Sequence, residues 1–123
     1  MTLAQAIKAF ARQRHYLEDP LCAKGVCSDI SGKFLAFLKD NKVPGADRAR
    51  AVTYAYNTAR HYPLKVRWVN RDHTFIVLDR PRAGGCFYHV VVKLDRLRID
   101  FTARQFHPQA SFPLVWRVKG RRR

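Results

Sequence analysis

Apolar residues recur at two different periods along this chain of 123 residues, and the change of period divides it in two. From Thr2 to Arg14, the positions Leu3, Ile7, Phe10 and Ala11 fall three or four residues apart, a spacing that lines up one face of a helix. A loop through Asp19-Pro20 ends that first amphipathic helix. After Gly25 a second stripe, Val26, Ile30, Phe34, Phe37 and Leu38, predicts a helix over Val26 to Asp40 that packs into a core. Pro44-Gly45 breaks it, Asp47 is suited to an N-cap, and Arg48 to Arg60 reads as a third helix with Ala51, Val52, Ala55 and Ala59 inward.

From Pro63 onward the pattern shortens to strand-length blocks rich in β-branched and aromatic residues. They are Leu64 to Val69, Phe75 to Leu78, Phe87 to Leu94, Leu97 to Thr102 and Leu114 to Val118. Turn-prone groups, Asn70-Arg71-Asp72 and Gly84-Gly85 among them, separate the blocks. Helices first and strands afterwards predict an α+β domain, N-terminal helices packed on an antiparallel sheet. One domain is expected over residues 1–118, followed by a basic C-terminal tail over 119–123.

The block from Tyr88 to Thr102 carries a sharper expectation. If Leu94-Asp95 forms the turn of a hairpin, His89 lies directly opposite Asp100 and the two share a face. The other face then collects Val90, Val92, Leu94, Leu97, Ile99 and Phe101, an apolar surface suited to helices. A carboxylate beside one imidazole nitrogen fixes the tautomer and leaves the other nitrogen to take a proton. The plain alternative is a solvent-facing His and Asp. A near-repeat, His73 to Asp79 against His89 to Asp95, supplies His73 as an alternative base. His15, His61 and His107 fall in loops or at helix ends, where solvated histidines are the default.

Cys27 is predicted on the first turn of the second helix, where unpaired amides and the positive end of the dipole favour a thiolate. Gly25 lets the chain turn sharply into that helix, and Ser28 and Asp29 offer first-turn acceptors. A cysteine at a helix start is also a common small packing residue. Cys22 and Cys86 read as packing residues or bystanders. Three cysteines cannot all pair within one chain, and Met1 to His15 lacks the apolar core of a signal peptide, so a reducing cytoplasm is expected. No segment has the ~20 apolar residues of a membrane span, and no cofactor or metal is called for.

Charge narrows the partners. Lys and Arg number 24 against 9 Asp and Glu, a net charge of +15, so an acidic partner is expected. Lys93, Arg96 and Arg98, with Arg121, Arg122 and Arg123 of the tail, form the candidate basic surface. Zinc-finger spacing, Gly-rich RNA-binding motifs and basic zippers are missing from the sequence.

Two segments resemble a known family. Gly25-Val-Cys27-Ser-Asp-Ile-Ser31, followed by Phe34-Leu-Ala-Phe-Leu38, resembles the nucleophile helix of papain-like cysteine hydrolases and deamidases. His89-Val-Val-Val and Ile99-Asp100-Phe-Thr102-Ala-Arg-Gln105-Phe106 resemble the His strand and the Asp-x-Thr-x-x-Gln-Phe segment of bacterial and phage papain-fold effector-type proteins. The resemblance implies a papain-like fold, with Cys27 as nucleophile, His89 as base, Asp100 as orienting acid, and Thr102 and Gln105 in support. Where such enzymes often carry a Gln ahead of the nucleophile, this chain has Leu21, Cys22 and Lys24.

The expected function is thiol acyl transfer on an acidic or nucleic-acid-associated protein, as a peptidase or a protein deamidase, in the host cytoplasm if the chain is phage-encoded. The alternative is a basic binding protein without catalysis that engages nucleic acid, without sequence preference, or an acidic host protein.

Overall fold

The computed structural model describes residues 1–57, 67–68, 86–105 and 109–118. Helix α1 spans Leu3–Gln13. A capping box starts it: the Thr2 hydroxyl accepts from the Gln5 N–H at 3.1 Å, and the Thr2 N–H donates to Gln5 Oε1 at 2.8 Å. A 3₁₀ turn at His15–Glu18 and the four-residue helix α2, Pro20–Ala23, fill the segment expected as a loop. Pro20 suits a first helical position, where its missing N–H costs nothing, and Asp19 caps it by accepting from the Leu21 N–H at 2.9 Å. Helix α3 spans Cys27–Asp40, one residue from the expected start.

The expected third helix is a strand. Gly45, at φ 87°, turns the chain into a short 3₁₀ turn, Ala46–Arg48, which takes in Asp47, and β1 then runs over Arg50–Asn57. Ala51, expected to face inward, is exposed, whereas Val52 is buried. The deciding contact is long-range: β1 pairs antiparallel with β3, Cys86–Leu94, through eight registered positions from Arg50–Lys93 to Asn57–Cys86. Weak alanine periodicity loses to a complete ladder with a distant strand.

Strand β2 is Arg67–Trp68, β4 is Leu97–Asp100 and β5 is Leu114–Arg117, and the antiparallel sheet has the order β2-β1-β3-β4-β5. Expected strands that fall at 64–66 and 75–78, together with His73, His61, His107 and the 119–123 tail, lie outside the described residues.

The β3–β4 hairpin is correct in its face and wrong in its register. Leu94 pairs with Leu97 and Val92 with Ile99, so the turn is Asp95-Arg96 rather than Leu94-Asp95. A two-residue hairpin turn needs left-handed backbone, and Asp95 adopts it at φ 52°. Continued, this register sets Val91 opposite Asp100. His89 and Asp100 remain on one face but meet along a diagonal.

Val92, Leu94, Ile99 and Phe101 pack with Ala6, Phe10, Leu17, Ile30, Phe34 and Leu38 into the core between helices and sheet. Phe10 is its hub, with ring centroids 5.0 Å from Phe34, 5.4 Å from Phe37 and 4.7 Å from Phe101. Edge-to-face contacts of this kind add to area burial. They fasten α1 to α3, and both to the residue that follows β4.

Candidate active site

The pairing of β3 with β4 stops at Val92–Ile99, and beyond it the backbone of Val90 needs other partners. Helix α3 supplies them. Ser31 donates its hydroxyl to the Val90 carbonyl at 3.2 Å, and the Val90 N–H bonds the sulfur of Cys27, one helical turn earlier. The N-terminal end of α3 thus enters the split between two strands. That seat brings Cys27 beside His89, where the imidazole lowers the pKa of the thiol and the sulfur raises that of the imidazole.

His89 and Asp100 are both buried, so the solvent-facing alternative for this pair does not hold. Nε2 of His89 lies 2.7 Å from Asp100 Oδ2. The other carboxylate oxygen accepts from the Thr102 N–H at 2.9 Å and from its hydroxyl at 3.4 Å. A carboxylate held by three donors keeps its orientation without water.

Gln105, in a 3₁₀ turn over Ala103–Gln105, completes the network. Its Oε1 accepts from the Gly25 N–H at 3.4 Å, and because an N–H only donates, the amide orientation follows. Its Nε2 then faces His89 Nδ1 at 3.2 Å and Thr102 Oγ1 at 3.4 Å. With Nε2 of the imidazole taken by Asp100, Nδ1 is the nitrogen turned toward Cys27 and Gln105: unprotonated it accepts from the Gln105 amide, and protonated it is released from that amide and can donate to the Cys27 sulfur.

Burial opposes charge at both reacting groups, yet both are pushed toward their charged forms. For His89, burial lowers the pKa, but the Asp100 charge and hydrogen bond and the Cys27 sulfur raise it from 6.5 to about 9. Burial raises the Cys27 pKa, and the bonds from His89 and the Val90 N–H, with the imidazolium charge, outweigh it, so the thiol lies below its ordinary value. Both shifts favour a thiolate–imidazolium pair.

Helix α3 has no side-chain N-cap at Val26, and Asp29, a first-turn acceptor by sequence, is engaged with Lys33 at 3.1 Å instead. The first amides of α3 are therefore free of side-chain caps beside the sulfur.

The remaining candidates lie elsewhere. Cys22 is exposed on α2, and Cys86 begins β3. Lys93, Arg96 and Arg98 belong to the far end of the hairpin; Arg96 is exposed in the turn, whereas Arg98, expected on an open basic surface, is only 3% exposed. Sequence reasoning missed Ser31 and the Val90 backbone. Ser31 follows Cys27 by one helical turn, the spacing that could have flagged it, but the strand split it serves is a tertiary feature.

Among the described residues, no group of three or more His, Cys, Asp or Glu is placed to hold a metal ion, and no helix is long and apolar enough to cross a membrane. No family model, curated protein or solved structure matches the chain at a significant level.

Proposed function

We propose that the chain is a small papain-like cysteine hydrolase that cleaves the C–N bond of an amide, in a peptide backbone or a glutamine side chain. The observation that carries this reading is the meeting of Cys27 with the hydrogen-bonded pair His89 and Asp100, closed by Thr102 and Gln105. Nucleophile, base and orienting acid in contact form the minimal apparatus of acyl transfer.

The Cys27 thiolate attacks the carbonyl carbon, and the carbonyl oxygen takes up the negative charge. As the tetrahedral intermediate collapses, the C–N bond breaks and the His89 imidazolium gives its proton to the departing nitrogen, which leaves as an amine or as ammonia. Water then attacks the thioester, His89 takes one of its protons, the C–S bond breaks and a carboxylic acid is released. Asp100 holds the imidazole and offsets its charge in a buried site.

The oxyanion donors are the first backbone amides of α3 and the Gln105 Nε2–H. A side-chain amide is missing ahead of the nucleophile in sequence, and Gln105, downstream of β4 but hydrogen-bonded to Gly25, occupies the corresponding role. Removing one such donor costs about 10²–10³ in kcat, so Gln105→Ala should lower the rate by that factor while Cys27 labelling persists.

Labelling with a mild electrophile such as iodoacetamide tests the whole reading, because exposed Cys22 is a reference thiol in the same molecule. Cys27 should react first near neutral pH, and His89→Ala should remove its advantage. Equal labelling of the two cysteines in the folded wild-type chain, or full retention of function in Cys27→Ala, would overturn the proposal.

A further inference from the structure

We infer that Gln105 couples the proton on His89 to the readiness of the oxyanion site: its amide holds Nδ1 of the neutral imidazole, and a proton arriving there frees the same N–H for the substrate. The purpose of this coupling rests on the amide hydrolysis proposed for the site, whereas the contacts and their test need no substrate.

The Gln105 amide is fixed by groups of known polarity. Oε1 accepts from the Gly25 N–H at 3.4 Å, which leaves Nε2 to face His89 Nδ1 at 3.2 Å and Thr102 Oγ1 at 3.4 Å. Thr102 gives its hydroxyl hydrogen to Asp100 Oδ1 at 3.4 Å, so its oxygen keeps lone pairs for the amide. The hydrogens of Nε2 therefore have two acceptors, and one of them changes with proton state. In the neutral imidazole the ring hydrogen sits on Nε2, 2.7 Å from Asp100 Oδ2, and Nδ1 offers a lone pair to Gln105.

When the thiol proton of Cys27 moves from Sγ to Nδ1, that nitrogen becomes a donor, two N–H groups face each other, and the contact is lost. Gly25 and Thr102 do not change with that proton, so they keep the amide in place. One Nε2 hydrogen is left without an acceptor in a half-buried position, two residues in space and sequence from the nucleophile through Gly25. An unpaired polar hydrogen costs free energy. The oxyanion that forms as the thiolate attacks supplies the missing acceptor. Once the imidazolium has passed its proton to the departing nitrogen, the oxyanion has collapsed to a carbonyl and Nδ1 takes the amide back.

A hydrogen bond to the neutral form of a titrating group opposes its charged form. Among the described residues, the titratable groups placed around His89 include Asp100 from β4, Cys27 from α3 and, at the registered position on β1, Tyr54. Arg104, next to Gln105, is engaged by the carbonyls of Glu18 at 3.1 Å and Ala110 at 2.8 Å. Asp100 and Cys27 favour the imidazolium, and Gln105 is an uncharged contact of the opposite sense.

Iodoacetamide labelling of Cys27 as a function of pH, in the wild-type chain and in Gln105→Met, tests the coupling. Methionine keeps the length of the side chain and has no N–H. The labelling midpoint of Gln105→Met should lie about half to one pH unit below that of the wild type, the worth of one hydrogen bond. A merely structural role predicts the opposite direction, since a loosened imidazole stabilises the thiolate less. A midpoint that is unmoved or raised would overturn the inference. A flipped amide, with Oε1 accepting from Nδ1–H, also raises it and is overturning in the same way. Nitrogen NMR of the isotope-labelled wild-type chain needs no variant to fold: the Gln105 Nε2 signal should move with the pH midpoint of the His89 ring nitrogens, and a stationary signal while His89 titrates would overturn the inference as well. Neither readout needs amide cleavage. A chain that cleaves no amide therefore overturns the hydrolase reading, while the midpoint and the nitrogen spectra still uphold or overturn the coupling.

Discussion

At the scale of single residues, the decisive fact is that a buried imidazole and a half-buried thiol are both driven toward charge. The His89 pKa is raised to about 9 from 6.5, so the stabilisation that its protonated form lends the fold is complete below about pH 6.5 and is lost as pH rises through about 9. Cys27 shifts the other way: its thiolate contribution is present above the ordinary thiol range and is lost as pH falls through the lowered value. The ion pair exists between these limits. Amide cleavage should therefore fall above about pH 9, when the leaving nitrogen no longer receives a proton from His89. A pH–rate profile checks this, and an undiminished rate well above pH 9 would remove His89 from the acid role. Asp100→Asn should lower kcat/KM by about 10²–10⁴ through loss of orientation and charge, with Cys27 labelling shifted to higher pH in the same variant.

How much of this was legible in the sequence differs from residue to residue. Alternation along β3 and β4 already placed His89 and Asp100 on one face, because face depends only on parity. It did not give the register, which depends on a left-handed Asp95 that spacing does not reveal. For Cys27 the helix start was readable, whereas its seat on Val90 was not, since Ser31 and Val90 are 59 positions apart and meet only after β4 diverges. Gln105 was readable as a supporting residue; its tie to the Gly25 amide, 80 positions away, was not.

Among the elements, α1 has no reacting group and still governs the site. Phe10 holds α3 and Phe101 together, so Phe10→Ala should destabilise the chain by about 3–5 kcal/mol, a typical cost for a buried phenylalanine. Denaturant melts give that value, and Cys27 labelling in the folded variant should slow at the same time as α3 loosens from the strand split. The β3–β4 turn makes a second demand. Asp95→Val, a β-branched residue forced to positive φ, should cost about 1–2 kcal/mol, and Asp95→Gly should recover most of it. β1 shows why element type was the least legible feature: alanines at helical spacing in Arg48 to Arg60 carry little burial energy, and the eight-residue ladder with β3 overrides them.

For the molecule as a whole, the net charge of +15 is a property of the entire surface. A field of that sign speeds encounters with anionic molecules and weakens as salt screens it.

The split between β3 and β4 also sets when Cys27 meets His89. His89 and Asp100 lie 11 positions apart on a local hairpin, but the nucleophile reaches them only when α3 docks across most of the sequence. During synthesis Cys27 leaves the ribosome well ahead of His89 and Gln105. Until the strands that hold them are in place it lacks the imidazole and the Val90 amide that lower its pKa, so its labelling in a refolding chain should accelerate only as the sheet completes.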